Sequence, residues 1–362
     1  LEHFYAMMIK TGTLREHIQA WLVFLAAYAA VFGITLFFGK FVDASWDIQA
    51  LLWLNPDHYI PVLDELIILQ TDFAMVCLLL ISLAWVIGYH ATRNRPAAKR
   101  KARRILHVLG VLFGIWYGLG VVFHDKGIFY WNEYAYPAVF PLLGLILFTG
   151  FYFAGNLYIQ LDDENQRKLA HAFWLTLVAL FFVNIIGEDT IKQWIGRPRP
   201  LNEANAAWNG AIRQLPDEVV RGSYSYISGH TSSFWAQTFI FFWLIKSWRF
   251  RAPLLALGVF HGYTRLYTAA HFPYCVIMAT FFAVMVTSVL YHCLWNHRHL
   301  PLISMLLLCI ALVRFQHSVT LPAVIAGITV VWFLTNLYLN RKAPKPALLD
   351  ATLQWLPQSQ AE

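Results

Sequence analysis

The sequence predicts an all-α polytopic membrane protein, a bundle of about ten transmembrane helices. Hydrophobic residues fill 59% of its 362 positions and charged residues only 13%, where a soluble domain carries about a quarter. Mean hydropathy is +0.52. Runs of about 20 mainly apolar residues, the length a helix needs to cross the hydrocarbon core, recur along the chain. Backbone in lipid must satisfy its hydrogen bonds within its own segment, so these runs read as helices.

In chain order the candidate spans are 19–39, 71–90, 105–123, 137–157, 170–189, 231–247, 253–270, 273–294, 300–314 and 319–338. The ninth is short. The first is long enough to span, so no cleavable signal peptide is expected. Segment 40–70 alternates polar and apolar residues (WDIQALLWLNPDHYIPVLDELI) and predicts a helix lying at the membrane interface. The aromatic stretch 124–136, HDKGIFYWNEYAY, suits the headgroup region. The sequence divides into an N-terminal region of four helices and the interfacial loop (1–165), a core (166–295), and two C-terminal helices with a polar tail (296–362).

Orientation follows from lysine and arginine. The densest basic run, RNRPAAKRKARR at 93–104, is expected in the cytoplasm. Alternation of ten spans then puts both termini there, with two thirds of the 27 Lys and Arg. The expected location is a bacterial inner membrane, with Lys192, Arg199 and Arg265 on the periplasmic side. The net charge of +7 thus reports topology; no nucleic-acid partner is expected, and the expected partners are membrane lipids. Oligomeric state is not legible. Cys77, Cys293 and Cys309 read as small core residues, because the four cysteines match no metal or disulfide spacing.

Three clusters carry the chemistry. In the first, Lys192 precedes Arg199-Pro200 by seven residues, and Gly196, Pro198 and Pro200 end the helix between them. Arg199 then sits on a rigid turn that can fold back toward Lys192. Arg197 reads as a cation reaching for headgroups. In the second, Ser228 suits a helix N-cap. The Gly229 and His230 amides that follow have no intrahelical partner, which makes an anion seat, and His230 stands at its mouth, placed to donate a proton. In the third, Thr264-Arg265 is followed by His271. Six residues turn about 240° around a helix, so the pair shares a face only if the helix stops. Pro273 suits the first turn of a new helix, which leaves His271 in the turn between two. His261, His90, His107 and His292 read as interfacial residues.

Together these spacings, K-x6-R-P, S-G-H and R-x5-H in this order, resemble the type-2 phosphatidic acid phosphatase family, which shares its site with vanadium haloperoxidases. The likeness covers about 190–275 in motifs and 165–295 as a helical core. It implies a phosphatase/haloperoxidase-like helical core and a metal-independent lipid phosphatase with no cofactor. By this resemblance Lys192, Arg199, Arg265, Ser228 and Gly229 hold the phosphate, His271 attacks phosphorus to form a phosphohistidine, and His230 protonates the leaving oxygen. The substrate class implied is a prenyl diphosphate, phosphatidylglycerophosphate or phosphatidate, or lipid A.

The sequence departs from the family pattern at Ile227 (Pro), Thr264 (Ser) and Cys275 (Asp). The last matters most, since that carboxylate would orient the nucleophile's other ring nitrogen. Glucose-6-phosphatases, in the same family, also lack it and share the run Ala269 to Pro273. Glu188, Asp189 or a backbone carbonyl are the replacements open to the chain; the two acids also suit pairing with Lys192 or Arg197. Two further readings stay open: a phosphotransferase that hands the phosphate to another lipid or sugar, and a degenerate member that binds lipid without catalysis.

Overall fold

The computed structural model describes residues 14–92, 99–124, 127–215, 224–297 and 299–316. Its helices are α1 (Leu14–Phe41), α2 (Trp46–Leu54), α3 (Leu63–Thr92), α4 (Lys99–Gly118), α5 (Val139–Gln160), α6 (Asp163–Leu180), α7 (Asp189–Ile195), α8 (Gly229–Leu244), α9 (Trp248–Tyr267), α10 (Pro273–Leu294) and α11 (Leu300–Gln316). A π-helical stretch, Phe181–Glu188, joins α6 to α7 without a break. The only strands among the described residues form a small antiparallel hairpin, β1 (Val122–His124) with β2 (Gly127–Phe129). It falls inside the aromatic stretch 124–136 and its approach. The interfacial helix expected in 40–70 is α2.

Five helices among the described residues are long and apolar enough to cross a membrane: Arg15–Phe41, Leu63–Val86, Val139–Gln160, Asp163–Ile195 and Pro273–Leu294. The chain is an integral membrane protein with five candidate spans, which corrects the expected ten. The physical reasons are local. α4 opens on a basic run, Lys-Arg-Lys-Ala-Arg-Arg. α8 has 16 residues, about 24 Å of helix against about 30 Å of hydrocarbon. α9 carries Arg249, Arg251, Pro253, His261 and Arg265. The apolar part of α11, Leu300–Ala311, is short. The tenth expected span, 319–338, lies outside the described residues.

α8 is buried on nearly all sides, as a helix that is apolar all round should be. It packs on α10, α9 and α6. α1 closes one side of this core through an aromatic cluster: Phe24 and Tyr28 meet the Phe182 ring at 4.8 and 5.3 Å, and the Tyr28 hydroxyl donates to the Phe182 carbonyl at 3.0 Å.

With five spans, counting crossings no longer sorts the loops; the packing does. At one end His107, near the start of α4, stacks on Tyr152 near the end of α5 at 4.9 Å. There too Gln166, in the first turn of α6, donates to the Tyr158 carbonyl at 2.8 Å, and Ser304 of α11 donates to the Trp174 carbonyl. The basic start of α4 belongs to this end. At the other end lie the close of α1, α2, the start of α3, the close of α7 and α9, and the starts of α8 and α10. Here the N-terminal region braces the core. Asn55 donates to the Tyr267 carbonyl at 2.8 Å. Buried Asp64 pairs with Arg213 and accepts from the Tyr267 hydroxyl at 2.5 Å and the Tyr136 hydroxyl at 3.1 Å.

α4 and α5 touch backbone to backbone. A Cβ on Gly144 would lie 2.5 Å from the Gly114 carbonyl and 2.7 Å from the Gly118 Cα. Gly144→Val is therefore expected to lower the melting temperature of the purified protein by several degrees, a cost of about 1–3 kcal/mol for overpacking. Gly33 in α1 has no atom within 4 Å of such a Cβ, so Gly33→Ala should raise it slightly, by about 0.5–1 kcal/mol. Equal effects at both positions would refute the α4–α5 contact.

Candidate active site

The π turn sets the first cluster. It carries Asn184 and Glu188 into α7 so that they share a face with Lys192, four residues further on. The Lys192 ammonium pairs with the Glu188 carboxylate, whose second oxygen accepts from Asn184 at 3.2 Å. α7 ends at Gly196, left-handed at φ 65°, which donates its N–H to the Lys192 carbonyl at 2.9 Å. The chain then leaves the helix through Pro198 and Pro200. Arg199 folds back as expected, and its Nη1 donates to the Ala270 carbonyl at 3.2 Å, one residue before His271.

Ser228 is the N-cap of α8, its side chain accepting from the Thr231 N–H. A helix start of this kind is an anion seat, and the chain's own Glu188 carboxylate lies beside it. The carboxylate packs against the Gly229 Cα, so that any Cβ there would collide with it. Glycine is needed at 229 for this approach. Glu188 thus pairs with Lys192 and packs against Gly229, and does not reach His271. His230, one residue into α8, is half-buried. Its carbonyl accepts from His261 Nε2 at 3.2 Å, and His261, fully buried, stacks on Phe234 at 4.3 Å. His261 is therefore an internal brace rather than the interfacial residue expected.

α9 ends in a Schellman motif. The Ala270 N–H bonds back to the Arg265 carbonyl at 3.0 Å, and the Ala269 N–H to the Leu266 carbonyl at 3.0 Å. Ala269 takes the left-handed position, φ 53°. The His271 N–H also reaches the Arg265 carbonyl, at 3.2 Å. This turn brings His271 back over Arg265 despite their separation of six residues, and Pro273 opens α10 as expected.

His271 is almost wholly buried. Its Nδ1 lies 2.7 Å from the Ser225 carbonyl and 3.3 Å from the Ser225 hydroxyl. A carbonyl can only accept, so Nδ1 carries the proton and Nε2 keeps its lone pair. Burial, then the charges of Arg199, Lys192 and Arg265, hold the His271 pKa well below the usual histidine value. Arg265 first, then burial, His261, Lys192 and Arg199, do the same at His230. The charges of Lys192, Arg199 and Arg265 thus bear on both imidazoles and disfavour their protonation.

Residues 168–299 match the PAP2 superfamily. No curated protein and no solved structure matches the chain. Residues 168–299 form a PAP2 superfamily domain. Members of this family are generally metal-independent phosphatases, and the match covers 168–299 alone of the 362 residues.

The PAP2 domain departs from its family's pattern at Cys275, and the surroundings of that residue are specific. The thiol is buried. It accepts from the Ser225 hydroxyl at 3.4 Å and from Arg197 Nη1 at 3.6 Å. It stands one step behind the group that holds His271; the orienting acceptor is the Ser225 carbonyl, not Cys275, Glu188 or Asp189. Asp189, half-buried in the first turn of α7, is not brought to His271. Arg197 is not a headgroup cation either: it pairs with Asp47 at 2.7 Å and lies 4.0 Å over the Phe272 ring. Asp47, on α2 and outside the PAP2 domain, was missed in the sequence. Its signal there is faint, one acid in an interfacial helix. Burial raises its carboxyl above the usual range, against the opposing pull of the Tyr274 N–H and Arg197.

Two cavities flank the PAP2 site. One of about 340 Å³ lies outside it, lined by Asp43, Ser45, Arg197, Asn205, Trp208 and Phe272 among others. A second, of about 160 Å³, is lined by Trp85, Gln237, Phe241 and other apolar residues. Gln237 is seven residues, two helical turns or about 10 Å, below His230 on the same face of α8.

Two outcomes are expected. Ala269→Gly removes left-handed strain and should stabilise the protein by about 1 kcal/mol in thermal melts; destabilisation would count against the motif. Glu188→Gln takes the competing anion from the helix start, so vanadate, an anion of the same shape as phosphate, should bind roughly tenfold tighter, the worth of one charge-assisted hydrogen bond. Weaker vanadate binding would mean that Glu188 supports the seat instead.

Proposed function

We propose that this protein is a lipid phosphatase that hydrolyses a lipid phosphomonoester or diphosphate through a phosphohistidine on His271. The observation that carries the reading is the 2.7 Å contact of His271 Nδ1 with the Ser225 carbonyl. It leaves a neutral imidazole with a free Nε2 lone pair among three cations, the state a nucleophile needs.

Lys192, Arg199 and Arg265 hold the equatorial phosphate oxygens, joined by the Gly229 amide at the Ser228-capped helix start. Phosphoryl transfer depends chiefly on such positioning and charge stabilisation. The incoming phosphate displaces the Glu188 carboxylate from that seat. His271 Nε2 then forms a bond to phosphorus as the bond to the leaving oxygen breaks. His230 supplies the proton that oxygen takes up. In the second half His230 removes a proton from water, whose oxygen attacks the phosphohistidine; inorganic phosphate leaves and Nε2 regains its lone pair. The second half thus returns to His230 the proton it gave up in the first, and a neutral resting ring needs to take up a proton only once, before the first turnover.

The apolar cavity two turns below His230 favours an amphiphile whose chain lies along α8. Prenyl diphosphates, phosphatidylglycerophosphate or phosphatidate, and lipid A share that chemistry. The site lies at the end of the bundle remote from the basic start of α4. By the positive-inside tendency this supports a periplasmic site, in a bacterial inner membrane. The 340 Å³ cavity beside Arg197, with its mixed polar and aromatic lining, favours a second reading, a phosphotransferase that places an acceptor lipid or sugar there.

Purified protein given a panel of these lipid phosphates with a metal chelator present should release free phosphate, and vanadate should inhibit. His271→Ala should abolish release, and His230→Ala should slow it by roughly 10²–10⁴-fold while radiolabel accumulates on His271. Release by His271→Ala at the parental rate would overturn the nucleophile. Label appearing on a second lipid without free phosphate would establish the transferase.

A further inference from the structure

We infer that Asp47, contributed by α2 from outside the PAP2 domain, is a positioning residue for His271 that acts through Arg197. The inference rests on the nucleophile proposed above. Asp47 is fully buried, and both its oxygens are used. Oδ1 accepts from the Tyr274 N–H at 2.8 Å, and Oδ2 from Arg197 Nη1 at 2.7 Å.

Arg197 in turn grips Ser225 twice. Its carbonyl accepts the Ser225 N–H at 2.7 Å. Its guanidinium touches the Cys275 thiol at 3.6 Å, and that thiol accepts the Ser225 hydroxyl at 3.4 Å. Ser225 then presents its carbonyl to His271 Nδ1. A residue held at its N–H and its side chain has less freedom to turn its C=O, so the direction of this acceptor depends on where Arg197 sits.

A neutral thiol cannot hold a guanidinium in place. The negative charge that does so comes from α2, and it reaches the start of α10 through the Tyr274 amide as well. A buried carboxylate is costly unless paired and hydrogen-bonded. Here one carboxylate ties together the two segments that flank the nucleophile, the extended segment at Arg197 and the first turn of α10. The N-terminal region is thus part of the working site.

The test is Asp47→Asn, which keeps the volume and the acceptor for the Tyr274 N–H but removes the charge. We expect kcat to fall about 10–100-fold, as when an outer-shell partner is lost, with KM and vanadate inhibition within about twofold of the parent by the same reasoning. Cys275→Asp places a carboxylate beside Arg197 and Ser225. In that background Asp47→Asn should cost much less, the non-additivity of two groups serving one role. A parental kcat in Asp47→Asn, or the same fractional loss with and without Cys275→Asp, would overturn the inference. Should Asp47→Asn fail to fold, Arg197→Lys carries the same test, because it keeps a cation for Asp47 and loses the rigid guanidinium whose Nη1 meets both Asp47 and Cys275.

A second readout does not need turnover. The ¹⁵N shifts of the His271 ring report its tautomer: Nδ1–H in the parent, a mixture of tautomers in Asp47→Asn. An unchanged Nδ1–H signal would overturn the inference. If the parent releases no phosphate from any lipid tested, the proposed function fails, and the ring shifts still decide the role of Asp47.

Discussion

One hydrogen bond orders this site: the His271 ring donating from Nδ1 to the Ser225 carbonyl. The charges of three cations, Arg199, Lys192 and Arg265, bear on the ring, and any of them would be welcome beside a phosphate. Beside an imidazole they forbid a second positive charge. The ring must therefore stay neutral, and a neutral ring has two tautomers of opposite use. Only an acceptor that can never donate selects the one with its lone pair at Nε2. A carboxylate would do this and add charge; a backbone carbonyl does it without charge, at the expense of needing its own direction fixed. The elements around it serve that need, from the Schellman turn that delivers His271 to the segment 197–199 that pins Ser225.

The motif residues were legible because their chemistry is local. A serine before Gly-His caps a helix, a Pro two residues past His271 starts the next, and Gly196 ends α7, each for a reason contained in a few residues. So were the lengths and places of most helices. What escaped depends on packing between distant parts of the chain. Glu188 was readable as a partner of Lys192, but its seat against Gly229 follows from the π turn, which no hydrophobic period announces. His261 was read as interfacial because a lone histidine at a helix end usually is; the burial that makes it a brace comes from Phe234 across the α8–α9 contact.

The span count failed for a related reason. Runs of 16 to 20 apolar residues look alike whether they face lipid or protein. α8 is enclosed by its neighbours and so need not match the bilayer, while α9 carries arginines at both ends and a buried histidine. A short helix enclosed by longer ones is a core element even in a membrane protein, and hydropathy alone does not separate the two.

The Glu188 carboxylate beside the start of α8 offsets the charge of Lys192. In the proposed cycle it has a further effect. Inorganic phosphate would be the product of that cycle, and strong product binding would stall turnover. A carboxylate tethered one helical turn from Lys192 is a competitor at high effective concentration, always present and never consumed. It re-enters as phosphate loosens and shortens the residence of the product. A substrate with a lipid chain can meet that competition through contacts along α8; free phosphate has no chain and loses. Selectivity for an anchored phosphate over a free one can therefore arise from a single internal acid, without any contact that reads the lipid itself.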